Sequence, residues 1–243
     1  MSLPKINVVT HSITVPSTNE VLIVRPFLVK EQKILLTAMI SDSVDDFTRA
    51  IRQIVNNCVI TPGFEVDKLE LFDLEYLILQ LRILSVGETT KITFKPRQGV
   101  ECKECSKPRI IEINLKDAKV DLTTSKDKKI QLTSDIGIVM KYPTAKLLTK
   151  ISKQESEQNL EDLFKIVWAC VDYVYDEEKI TSSKDVSDKE ALEFLESLNS
   201  EQFQKIEEFI SSMPKLSQKI NIKCSCCDYT DEFTLTGLDN FFG

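Results

Sequence analysis

The sequence predicts an α+β protein: a small antiparallel sheet with a zinc-ribbon-like site of four cysteines, plus amphipathic helices in both halves of the chain. Short β-branched runs gather in residues 91–143 and again near the C-terminus, which is the pattern of paired strands. On either side of the middle stretch, apolar residues recur every three or four positions, the period of a helix with one buried face. Each β-rich stretch also carries a C-x-x-C, at Cys102–Cys105 and Cys224–Cys227.

Taken in order, residues 5–25 alternate apolar and polar side chains around Pro16-Ser17-Thr18-Asn19 and run into Val21-Leu22-Ile23-Val24, which predicts a short hairpin. Beyond Pro26 the period changes. Val44, Phe47, Ile51, Ile54, Val55 and Cys58 follow Ser43, a good N-cap, at helical spacing. Leu74, Leu77, Ile78, Leu81 and Leu84 repeat that spacing after Asp73, and Gly87 stands where a C-cap belongs. Between Lys91 and Tyr142, the runs Ile92-Thr93-Phe94, Ile110-Ile111-Glu112-Ile113, Lys129-Ile130-Gln131-Leu132 and Ile138-Val139-Met140 are expected to pair in one small sheet. From Thr144 the helical period returns. Leu160, Leu163, Phe164, Val167, Trp168, Val171, Val174 and Tyr175 form a wide apolar face that places Trp168 in the core.

A polar link over residues 181–188 leads to Ser187 and Glu190, a capping box for the helix with Leu192, Leu195 and Leu198. Phe203, Ile206, Phe209, Ile210 and Met213 define a further helix that Pro214 stops. Ile220-Asn221-Ile222 and Phe233-Thr234-Leu235 return to strand. The expected organisation is an N-terminal hairpin with helices (1–90), a β-rich zinc-ribbon-like region built from 91–143 and 216–243, and a helical region (144–215).

A chain of 243 residues, 42% hydrophobic and 28% charged, buries a sizeable core and is not disordered. No apolar run approaches the roughly 20 residues of a membrane span. The start, Met1-Ser2-Leu3-Pro4-Lys5, lacks a secretory pattern, so the seven cysteines are expected in a reducing compartment, where paired cysteines point to metal rather than disulfides. A net charge of −7 with scattered lysines disfavours nucleic acid as a partner.

Two C-x-x-C turns supply four thiolates, the donor set of a closed tetrahedral structural zinc: Cys102, Cys105, Cys224 and Cys227. Such a metal ties the C-terminal strands to the central sheet across the intervening helices. Cys226 is a spare thiol that can replace Cys227. The competing reading, thiol–disulfide chemistry, calls for a C-x-x-C at a helix N-terminus, whereas these pairs lie among strands and acids. Cys58, on the apolar face of its helix, reads as a small buried hydrophobe.

Catalytic equipment is sparse. His11 is the only histidine, no phosphate-cradling glycine motif occurs, and the chain has six glycines in all. Adjacent acids such as Asp45-Asp46 and Glu177-Glu178 do not converge on one helical face. The expectation is a non-enzymatic protein, with a zinc- or thiol-dependent enzyme as the alternative.

The run Arg25-Pro26-Phe27-Leu28-Val29-Lys30-Glu31-Gln32-Lys33-Ile34-Leu35-Leu36 resembles a signature of the baseplate hub proteins and hub assembly factors of T-even-type contractile-tailed bacteriophages. Further segments are similar to the same family: Phe72-Asp73-Leu74-Glu75-Tyr76-Leu77, Leu81-Arg82 with Ser85-Val86-Gly87-Glu88, Tyr142-Pro143-Thr144, Gln202-Phe203 through Met213-Pro214-Lys215-Leu216, and Leu235 through Phe242. The resemblance implies a hub subunit or assembly factor acting in the host cytoplasm or the virion tail baseplate. Its partners would be other hub or tail proteins or copies of itself, with no nucleic acid, membrane or small-molecule substrate. It also implies similarly placed C-x-x-C pairs, the second usually followed by glycine, where this chain has Asp228. Arg25, Phe27 and Lys30, beside exposed Glu31 at a strand-to-helix junction, and the terminal Phe241 and Phe242 are candidate partner contacts, since exposed aromatic and arginine side chains anchor interfaces.

Overall fold

The computed structural model describes residues 7–41, 43–94, 107–123, 127–147, 160–223, 227 and 230–237. It begins with the expected hairpin, β1 (His11–Thr14) against β2 (Val21–Val24), turned through Asn19 at φ 57°. Alternation buries Ile13, Leu22 and Val24 on one face. Helices α1 (Val29–Ile40), α2 (Val44–Cys58) and α3 (Leu71–Val86) follow. Ser43 caps α2 by accepting the Asp46 N–H, and Gly87, at φ 126°, ends α3. Next come β3 (Thr89–Phe94), β4 (Arg109–Asn114), β5 (Lys119–Val120), β6 (Lys129–Gln131) and β7 (Gly137–Met140). The remainder comprises α4 (Leu160–Ala169), β8 (Val171–Tyr175), β9 (Ile180–Ser182), α5 (Asp188–Glu196), α6 (Ser200–Ser211), β10 (Leu216–Lys223) and β11 (Thr230–Thr236). Ser187 and Glu190 close the expected capping box on α5, and Asn199 with Gln202 closes another on α6.

The expected single middle sheet is instead divided. β3 and β4 form a two-stranded ribbon, whereas β6 and β7 join β8 and β9 in the order β6-β7-β8-β9. β5 pairs with β10, giving β11-β10-β5. Val171–Tyr175 is strand rather than the continuation of a helix: α4 stops at Ala169, and the β-branched and aromatic Val-Asp-Tyr-Val-Tyr pairs with both β7 and β9. Trp168 is half-buried, edge-on to Phe194 at 5.9 Å. The helix α1 covers most of the signature run; its outward face shows Val29, Leu36 and Ile40 while its inward face buries Leu35, Ala38 and Glu31.

Packing falls into three apolar clusters, and α3 touches all of them. Leu74, Leu77, Ile78 and Leu81 pack with α2 and the hairpin. From the same helix, Leu79 and Ile83 enter the cluster of β3, β4, β10 and β11. At its start, Phe72 meets Tyr142 edge-on at 5.5 Å, and Tyr142 stacks on Phe209 of α6 at 5.9 Å, within the third cluster. A helix buried this widely has no single apolar stripe, and aliphatic residues accordingly recur on several of its faces.

Candidate functional site

The Arg-Pro-Phe signature folds into an internal clamp. Glu31, expected to be exposed, is fully buried at the third position of α1. Its carboxylate accepts the Leu28 N–H at 2.9 Å, satisfying a donor at the helix start, and takes both terminal nitrogens of Arg25 at 2.9 and 3.2 Å. Burial alone would raise the Glu31 pKa; hydrogen bonds from Arg25 and Leu28 and the charges of Arg25 and Lys30 hold it below the usual carboxylate value. The Arg25 guanidinium, hydrogen-bonded to Glu31, is raised in turn. Arg25 also donates its backbone N–H to Cys58 O at 2.9 Å, and Phe27 donates its own to Ser85 Oγ at 2.7 Å. Phe27 packs half-buried against the first cluster. Lys30 alone of the three points outward, 64% exposed, its Nζ 3.6 Å from Glu31.

Other resemblance segments meet one another as well. Ser85, which receives Phe27, belongs to one of them. Leu71, one residue before the Phe72 segment, donates to Pro143 O at 2.9 Å, and Glu70 forms a β-bridge with Thr144. Tyr142 then joins Phe72 to Phe209. These motifs are occupied with fixing the frame around α3.

Two carboxyls lie at the start of α3. Asp73 is buried in the first turn, accepting the N–H and hydroxyl of Ser17 and so tying the hairpin turn to the helix. Burial raises its pKa against those two bonds. Glu70 occupies the N-cap position, and its Oε2 is buried without a hydrogen-bond partner among the described residues. Burial pushes the Glu70 carboxyl up to about 7, Asp73 adds to the rise, and Lys128 opposes it.

The two C-x-x-C segments fall in the connections of two hairpins whose strands share a cluster. Ile92, Phe94, Ile111 and Ile113 of the β3–β4 ribbon pack with Ile220, Ile222, Phe233 and Leu235 of the β10–β11 pair. Phe94 at the end of β3 stacks on Phe233 at 5.3 Å, with the Arg109 guanidinium 5.7 Å from the Phe94 ring. Lys223 pairs with Thr230, so residues 224–229 form the connection between β10 and β11. Cys227 is half-buried there. Cys102, Cys105, Cys224 and Cys226, together with Phe241 and Phe242, lie outside the described residues. Among the described residues no group of three or more His, Cys, Asp or Glu converges in a metal-binding arrangement.

Cys58 and Cys170 are buried thiols, each pushed up to about 11 by burial, the protonated and inert form. His11 lies on β1 opposite Val24. No described helix is long and apolar enough to cross a membrane. Comparison with known families finds that the family model described as T4 bacteriophage base plate protein matches residues 8–243. No curated protein and no solved structure matches the chain.

Proposed function

The chain belongs to the T4 bacteriophage base plate protein family, and from that premise we propose that it is a non-enzymatic component or assembly factor of the baseplate hub. The observation that carries this reading is the family match over residues 8–243. A structural role in a phage baseplate follows from the family; the hub is the finer proposal, supported by the signature segments quoted above.

A structural zinc held by Cys102, Cys105, Cys224 and Cys227 is part of the proposal, with Cys226 as the substitute fourth ligand. Its support is architectural. The two C-x-x-C pairs fall in connections of hairpins whose strands pack on one another through Phe94 and Phe233, and four thiolates match the closed tetrahedral preference of zinc. Bound metal would fasten the hairpin connections together at the ends where the ribbon leaves its cluster.

The role works through protein–protein contacts, to which Lys30, exposed beside the clamp, and the terminal Phe241 and Phe242 would contribute. Arg25 and Phe27 would act by holding the β2–α1 junction in shape, since their polar and apolar contacts run inward. Co-expression with the phage's hub proteins, followed by affinity purification and mass spectrometry of finished particles, tests the reading. Co-purification with hub subunits is expected; presence in particles marks a resident subunit, and absence from them marks an assembly factor. Failure to associate with any baseplate protein would overturn it.

A further inference from the structure

The first and third apolar clusters meet along a short seam. Residues 69–71, at the start of α3, run antiparallel to residues 143–145. Leu71 donates its N–H to Pro143 O at 2.9 Å, Ala145 donates its own to Leu69 O at 2.9 Å, and Glu70 faces Thr144 in the bridge between them. Ala145 is fully buried in the first cluster, and Phe72 reaches across to Tyr142, which packs on the third. One bridge and two backbone bonds are few, so the chain can part here without unfolding elsewhere.

The Glu70 carboxyl stands in that seam, its Oε2 buried and without a hydrogen-bond partner among the described residues. The groups that act on it come from both sides. Asp73, on its own helix, is a like charge whose oxygens are taken by Ser17 of the hairpin. From the other side come Lys128, just before β6, and the Cys170 thiol, just after α4. Lys128 places its Nζ 4.2 Å from the centre of the Tyr142 ring. Cys170, pushed up to about 11, is neutral, and Lys141, which acts on it, is held by Ser183 at 3.2 Å and Asp172 at 3.7 Å. A carboxylate formed here has a like charge beside it and an unmatched oxygen, whereas the protonated carboxyl has no charge to bury.

We propose that Glu70 is a proton-operated latch: with its carboxyl protonated the seam is closed, and loss of that proton to water parts residues 143–145 from the start of α3 while the elements on either side stay folded. The inference stands on the geometry of the seam and is independent of the baseplate role.

The Ala145 amide, bonded across the seam, reports the opening. Its hydrogen exchange is followed in the full-length protein from about pH 5 to pH 8.5 and corrected for the intrinsic rate of a free amide. In the open seam the carboxyl titrates at its ordinary 4.5, and in the closed one at about 7. Opening should therefore become about tenfold easier per pH unit up to about 7 and level off above it. Glu70→Gln should flatten that rise. Lys128→Met, which removes the opposing cation and leaves the carboxyl in place, should carry the levelling-off to a higher pH. Ala145 should also exchange faster than the β7–β8 ladder and stay indifferent to low urea that speeds the ladder, as a local opening does.

A pH-independent Ala145, an undiminished slope in Glu70→Gln, or a Lys128→Met profile superimposed on the wild type would overturn the proposal. So would Ala145 exchanging in step with the β7–β8 ladder at every urea concentration, for then Glu70 tunes only the stability of the whole fold.

Discussion

Glu70→Gln should remove a pH dependence of stability that the wild-type protein shows between about pH 4.5 and 7. In the folded chain the Glu70 carboxyl is pushed from 4.5 to about 7, chiefly by burial. The unfolded chain therefore releases this proton first, and the folded state is favoured while the carboxyl stays protonated. That contribution is present in full below pH 4.5, declines as the pH rises, and is lost above about 7. At about 1.4 kcal/mol per pH unit, and allowing for the partial exposure of the residue, the loss is roughly 2–3 kcal/mol. Gln keeps the shape without the charge, so the variant should match wild type near pH 4.5 and exceed it by that amount at pH 8. Urea denaturation at a series of pH values measures the difference directly. Asp73, raised in the same sense, titrates in both proteins, so only its coupling to Glu70 enters the difference. Glu31, held low, loses its contribution only on acidification below this window. A difference that is flat with pH would show that Glu70 ionises freely in the folded protein and would refute the reasoning.

Arg25→Ala leaves the fully buried Glu31 carboxylate without its partner and should cost roughly 3–5 kcal/mol in chemical denaturation, whereas the double change Arg25→Met/Glu31→Met should cost much less. Gly137→Ala drives a Cβ into the Tyr175 hydroxyl, so either the ring leaves its bond to Gln131 or β7 shifts; a loss of about 1–3 kcal/mol is expected, smaller in a Tyr175→Ala background. Native mass spectrometry should find about one zinc per chain, and Cys105→Ser or a chelator should lower Tm; protein that purifies without metal argues against the site. Deleting residues 238–243 separates two roles for Phe241 and Phe242: lost Tm places them in the core, lost hub binding at intact Tm places them in an interface, and no effect on either removes them from consideration.

Features written in local chemistry were readable from the sequence. The Ser187–Glu190 capping box, Ser43 before α2 and Gly87 after α3 depend on residues within one turn, and each stands where its chemistry places it. Helix α1 was harder to see, because its outward face carries Val29, Leu36 and Ile40 and its inward face carries a glutamate; the apolar stripe is not the buried one. Glu31 became a core residue through Arg25, six positions earlier and just past a strand, a pairing no periodicity announces. Val171, Val174 and Tyr175 continue the three-to-four-residue rhythm of α4 by coincidence of spacing, and only strand pairing with β7 and β9 decides otherwise. Pairing choice also divided the middle strands between separate sheets. Of the candidate metal site, only the flanking hairpins and Cys227 fall among the described residues.

Because α3 lends side chains to two of the clusters and meets the third through Phe72 on Tyr142, the protein resists dissection. A fragment ending near residue 90 would keep the helix but leave Leu79 and Ile83 bare, and one beginning after it would lack the floor under β3, β4 and β10. Neither piece inherits a complete interior. Amide protons along α3 should accordingly exchange only when the whole chain opens, making this helix the slowest-exchanging element and the natural reference against which the loosening of any other part can be gauged.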